Sequence, residues 1–165
     1  MELLPGYCIR HGSSLDRALL VKFMQLTYQE MFPNQDFSHL AQTVEQYFSS
    51  QTPLWWVEED GEMGRLGDGE DFTTPPNHPI ACLWMGNAID QVTGDRHAHI
   101  FLLYVEPKHR RRGIATALMR YAEDWAKNRG DRQMGLQVFQ SNQAALSLYS
   151  GLGYQTQSLW LKKIL

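Results

Sequence analysis

Residues 100–125 read IFLLYVEPKHRRRGIATALMRYAEDW, and this stretch decides the fold. Phe101 to Val105 are apolar without alternation, which predicts a strand covered on both faces and therefore at the sheet centre. Pro107 ends it, a turn carries Lys108 and Arg110 to Arg112, and Gly113 precedes an amphipathic helix. Ile114, Leu118, Tyr121, Ala122 and Trp125 fall on one stripe of that helix; Lys127, Arg129 and Gly130 supply the charges and cap expected at its end. A basic turn between a buried strand and a helix start favours an anion. The first amides of a helix lack intrahelical acceptors, its dipole is positive there, and a glycine removes the Cβ that would keep a phosphate away. The turn reads as a pyrophosphate cradle.

Upstream, Ala98 to Val105 is the strand, with VTGD around Gly94 as a hairpin turn to an earlier strand in PIACLWMGNAI, residues 79–89. Residues 60–79 are Gly, Pro and acid and read as an exposed loop. LWWVEE, 54–59, is a further strand. Before it come helices over Ser38 to Phe48 and over Leu15 to Met31, the latter capped by Ser14 or Asp16, with a first strand in GYCIR, 6–10. Downstream, MGLQVF, 134–139, predicts a strand, Asn142 caps a short helix through Leu152, and Tyr154 to Ile164 supplies the last one or two strands. The fold class is a single α/β domain over 1–165, with a mixed, mostly antiparallel sheet of six or seven strands and helices on both faces.

Bulk properties agree. The chain has 165 residues, is 43% hydrophobic and 20% charged, and carries a net charge of −3. No run approaches the roughly 18 apolar residues of a membrane span. The opening MELLPGYCIR has no basic and then apolar leader, and Cys8 and Cys82 are two distant thiols, both expected to be buried, so a cytoplasmic protein is expected. A pI of about 6.0 argues against nucleic-acid binding through Arg110 to Arg112. Acid crowds Glu58 to Asp71 while base crowds Lys108 to Arg132. Such a field steers an anionic ligand to one cluster and a cationic one to the other, although solvated faces also explain it.

Arg110, Gly113 and Ala115 satisfy a pattern of Arg or Gln, two residues, Gly, one residue, Gly or Ala. With the strand before it, the helix after it, then a strand, Asn142, and Tyr149 on a short helix ending Gly-Leu-Gly-Tyr, residues 80–160 resemble the cofactor-binding half of the GCN5-related N-acetyltransferases. Neither a phosphate-binding G-x-x-x-x-G-K-[ST] nor a complete dinucleotide fingerprint is present. The resemblance implies acetyl transfer from acetyl-CoA to an amine of a small molecule or a peptide, with no membrane partner and a homodimer left open. It also implies that pyrophosphate rests on the turn formed by Arg110, Arg111, Arg112, Gly113, Ile114, Ala115 and Thr116. The pantetheine arm lies along Leu103, Tyr104 and Val105, pairing with the backbone of Leu103 and Val105.

The same resemblance makes Tyr149 the acid that protonates the leaving thiolate. Asn142 caps its helix, contacts the pantetheine, or does both. His99 stands six residues before Val105, where some members of the family carry a base, and imidazole titrates in the useful range. Glu30, Tyr28 and Glu106 are alternatives. His97 and His99 share one strand face, but the sequence offers no third ligand, so no metal is expected. Trp55, Trp56 and Trp84 line either an acceptor pocket or the core. A CoA-binding regulatory module without turnover is the alternative to an enzyme.

Overall fold

The computed structural model describes residues 1–60 and 78–165. Glu62, Asp68, Glu70 and Asp71, and most of the expected 60–79 loop, lie outside the described residues. A six-stranded sheet runs in chain order: β1 (Glu2–Leu4), β2 (Tyr7–His11), β3 (Leu54–Glu59), β4 (Ala81–Ile89), β5 (Arg96–Val105) and β6 (Met134–Leu136). Neighbours are antiparallel up to β5; short turns join β1 to β2 and β4 to β5, while the first two α-helices lie between β2 and β3. At the turn before β5, Gly94 takes φ 76° and the Asp90 side chain accepts from the amides of Val92 and Thr93. The β5–β6 pair is parallel, since α3 (Ile114–Arg129) crosses over between them.

Alternation along each strand builds two apolar layers. Trp55, Val57, Leu83 and Ile100 pack with Ile114, Leu118, Met119 and Ala122 of α3. Leu54, Trp56, Trp84, Leu102 and Tyr104 pack with α1 (Arg17–Met31), through Leu20, Phe23 and Met24, and with Leu40 and Val44 of α2 (Leu40–Tyr47). Helices therefore cover both faces. Trp55, Trp56 and Trp84 are core, none above 1% exposed, and so none of these lines a pocket for a cationic acceptor. No helix among the described residues is long and apolar enough to cross a membrane.

Several local expectations change. The sheet centre is β3 and β4; β5 is penultimate, because an apolar run reports covered faces and not the number of strands outside it. Ser13, not Ser14 or Asp16, caps the first helical segment: its hydroxyl accepts from Leu15 N while the Asp16 carboxylate accepts from Ser13 N at 2.7 Å. A 3-10 turn over Ser14–Asp16 then leads into α1. Cys82 is buried, but Cys8 is only half-buried. The last strand before the final helix stops at Leu136. Residues 154–165 form no strand at all and from Gln155 onward are exposed.

β5 carries a bulge. Trp84 faces Leu102 and Met85 faces Ile100, which leaves Phe101 without a partner on β4. Its ring lies over Gly86, where a Cβ would stand 2.1 Å from Phe101 Cζ, and it meets Trp84 edge-on at 5.0 Å. Gly86 is thus a requirement of the bulge.

Candidate active site

β5 and β6 pair only over Ala98↔Met134, His99↔Gly135 and Ile100↔Leu136. Beyond Ile100, β5 continues to Val105 without β6 beside it, and the strands part. Glu106 N donates to Ile80 O on the β4 side, so by alternation the amides of Val105 and Leu103 turn to the opposite side, toward this opening. Residues 137–139 bend away, and Phe139 packs edge-on against Phe32 at 5.4 Å and Tyr28 at 6.1 Å, near the end of α1.

The basic turn follows β5 directly. Arg111 (φ 63°) and Gly113 (φ 84°) are both left-handed, a conformation that costs a non-glycine residue roughly 1 kcal/mol. None of the amides from Arg111 to Thr116 finds an acceptor among the described residues; intrahelical bonding starts with Ala117 N to Gly113 O at 2.9 Å. A Cβ on Gly113 would meet only Leu4 Cδ1, at 3.9 Å, so the protein side of the turn is open. A hollow of about 580 Å³ opens at the end of β5 beside Leu26, Glu30, Tyr104 and Glu106; another of about 530 Å³ flanks Gly113 and Thr116 beneath Leu3 and Leu4.

The three arginines have separate fates. Arg110 donates through Nε to Val105 O at 2.8 Å, pairs with Glu30 at 2.6 Å, and lies 5.6 Å from the Tyr104 ring centre. Arg112 donates to the Tyr7 hydroxyl at 2.8 Å. That hydroxyl is 3.3 Å from Nδ1 of the buried His109, itself 3.5 Å from Glu59. Only Arg111 has no side-chain partner among the described residues. Arg110 and Arg112 therefore brace the turn. The Val105 carbonyl is already engaged, leaving its amide for the opening.

The final helix, α4 (Gln143–Gly151), is capped by Asn142, whose Oδ1 accepts from Ala145 N at 3.2 Å; its Nδ2 lies 4.0 Å from Met31 Sδ. Tyr149, on α4, packs against the same apolar layer as Leu103 and Ala115. Burial pushes its phenol up to about 12, and no protein group among the described residues bonds its hydroxyl.

His97 and His99 lie on the opposite face, as the alternation with Ala98 and Ile100 requires. The His97 ring donates from Nδ1 to Ala98 O at 2.9 Å. His99 Nδ1 is buried and without a partner among the described residues, and burial, followed by the charge on His97, lowers its pKa. Gly135 makes room for both rings: a Cβ there would stand 2.9 Å from His97 Cε1 and 3.2 Å from His99 Nδ1. No group of three metal-ligating side chains occurs among the described residues.

The structure thus gathers Leu103, Val105, Arg111 to Thr116 and Tyr149 on the α3 side and puts His99 across the sheet. Tyr7, Glu30 and His109, which brace the site, were not singled out as such by sequence; Tyr7 and His109 stand 102 residues apart and Glu30 and Arg110 80. Only Glu30 had surfaced, as an alternative base, and its carboxylate is taken by Arg110.

Residues 21–154 match the acetyltransferase (GNAT) family. An uncharacterized N-acetyltransferase of Methanocaldococcus jannaschii is 33% identical over 86 residues, 50% of this chain and 36% of that protein. The [ribosomal protein bS18]-alanine N-acetyltransferase of Escherichia coli is 36% identical over 72 residues, 44% of this chain and 48% of that protein. The chain spans less than half the length of either relative. Among solved structures, a predicted acetyltransferase from Clostridium acetobutylicum, solved with acetyl-CoA, superposes with a TM-score of 0.70 over 96% of both chains at 18% identity, a likeness of fold.

Proposed function

Because the chain belongs to the acetyltransferase (GNAT) family, we propose that it carries an acetyl group from acetyl-CoA to a primary amine of a small molecule or peptide, by direct attack in a ternary complex. The observation that carries this reading is the continuity of the two binding features. The open amides of Leu103 and Val105 are followed, after a short turn whose own amides at Glu106, His109 and Arg110 are bonded, by the unpaired amides of Arg111 to Thr116. Such a track suits a ligand with amides at one end and a pyrophosphate at the other. Acetyl-CoA, when bound, supplies the activated thioester.

The chain's own groups divide the remaining work. The turn amides hold the pyrophosphate, and Arg111 adds a guanidinium that has no side-chain partner among the described residues. A β5 amide at the opening stabilises charge on the acetyl oxygen. Tyr149, protonated at neutral pH, donates to the departing sulfur. His99 is neutral near pH 7 and accepts the amine's proton from the other face. The acceptor enters beside the end of α1, in the hollow lined by Leu26, Gln29 and Tyr104. The free thiols fit a reducing cytoplasm.

The direct test is thermal denaturation with acetyl-CoA. At 100 times its Kd the ligand adds about 2.7 kcal/mol, a shift of several degrees; no shift at millimolar concentration overturns the reading. Thiol release over a panel of amines separates an enzyme from a CoA-binding module.

His99 gives a pH prediction. Its folded pKa lies below the unfolded value near 6.5, so the fold disfavours the protonated ring. Its contribution to stability is complete above about 6.5 and is lost as pH falls through the folded pKa. His99→Gln should flatten stability over that interval. It should also lower kcat/KM about 100-fold and remove an inflection below pH 6.5. An unchanged rate profile dismisses His99 as the base.

A further inference from the structure

Residues 155–165, QTQSLWLKKIL, leave α4 after Gly153 and Tyr154, whose hydroxyl donates to Glu123 of α3 at 3.2 Å. Beyond that anchor no hydrogen bond joins them to any described residue. Leu159, Trp160, Leu161, Ile164 and Leu165 are 79% to 108% exposed. An apolar surface of this kind on one short segment marks an interaction site. Its pattern is that of a strand: Leu159, Leu161 and Leu165 fall on one face, Trp160 and Ile164 on the other. A strand apolar on both faces is one covered on both.

The same third of the molecule lacks such a strand. β6 is the last strand of the sheet and pairs only with β5, so its outer edge presents unpaired amides and carbonyls. Neither β6 nor α4 contains a fully buried residue, although Met134, Leu136, Leu146, Leu148 and Tyr149 are apolar or aromatic and are only half-buried. The layer against α3 is closed where β3 and β4 lie beneath it and open beside β6. What this edge needs is what the chain holds in excess.

We propose that residues 155–165 add as a strand to the outer edge of β6 in a second copy of this chain, each copy receiving the other's segment. One segment and one edge per chain close under a two-fold axis without leaving either unpaired. Fully extended, the eleven residues reach about 36 Å, enough to cross to a neighbour. The exchange would bury Trp160 and close the layer that holds α4. It stands whatever reaction the chain performs.

The test takes the full chain at about 50 µM and about 0.5 µM, with mass by sedimentation and backbone order by amide hydrogen exchange. The expected result at the higher concentration is twice 19.0 kDa, with slowed exchange in both 134–139 and 157–163. Dilution to monomer, or Leu161→Asp, should release both segments together by at least about 100-fold in exchange rate. Dilution needs no substitution, so a variant that misfolds does not weaken the test. A monomer at 50 µM overturns the proposal: protected segments mean the strand returns to its own β6, unprotected ones that it stays free. A dimer in which 157–163 exchange rapidly also overturns it and places the interface elsewhere.

Discussion

Gly113→Asp is expected to abolish CoA binding, with titration calorimetry showing a loss of roughly 100-fold or more in affinity, about 3 kcal/mol. Two effects combine. The backbone at 113 has φ 84°, which any L side chain occupies only with strain. The introduced carboxylate would stand where the turn's amides otherwise favour an anion. Crowding is not the cause, since the nearest protein atom to a Cβ is Leu4 Cδ1 at 3.9 Å. Arg111→Ala is the comparison. It keeps the same backbone and removes one exposed charge, for which a loss of about 3-fold to 10-fold is expected. Equal losses would mean that side-chain charge, not backbone, holds the pyrophosphate, and the cradle would be wrong.

Tyr149→Phe is expected to lower kcat about 10-fold to 100-fold while changing CoA affinity less than about 2-fold. The separation follows from the surroundings of the phenol. Its ring supplies packing against the α3 layer, which phenylalanine preserves, and its hydroxyl bonds no described protein group, so the change strands no buried partner. With its pKa pushed up to about 12, the hydroxyl stays protonated across the working range. The wild-type rate should therefore show no decline between about pH 8 and pH 10 attributable to Tyr149. Thiol release measures the rate and calorimetry the affinity. An unchanged kcat removes Tyr149 as the acid.

The part of the molecule legible in the sequence is the part set by neighbours in the chain. The strand, proline, basic turn, glycine and amphipathic helix of 100–125 obey local rules, and β5, the turn and α3 stand where those rules put them, although β5 is not the sheet centre. Asn142 as a cap was legible for the same reason. The fates of Arg110 and Arg112 were not: each depends on a partner 80 or 105 residues away, Glu30 and Tyr7. Three identical residues in a row carry no mark of which one braces β5, which reaches β2 and which faces outward. The tail misled in another way. Its apolar run reads as a strand, yet the chain forms none there, because a strand needs a partner edge that composition does not supply.

The bulge at Phe101 acts as a change of phase within one strand. Before it, His97 and His99 face the α1 side; after it, Leu103 and Val105 face the α3 side, although an even alternation from His99 would have put them with the histidines. The single extra residue does this by sharing the α1 side with Leu102: Phe101 meets Tyr47 of α2 and Trp84, and Leu102 packs in the same layer. The even spacing from His99 to Val105 thus spans two faces, which a strand without a bulge does not allow. Removing Phe101 would bring Ile100 and Leu102 together opposite Met85 and Trp84, erase the bulge, and leave His99 and Val105 on the faces they hold now.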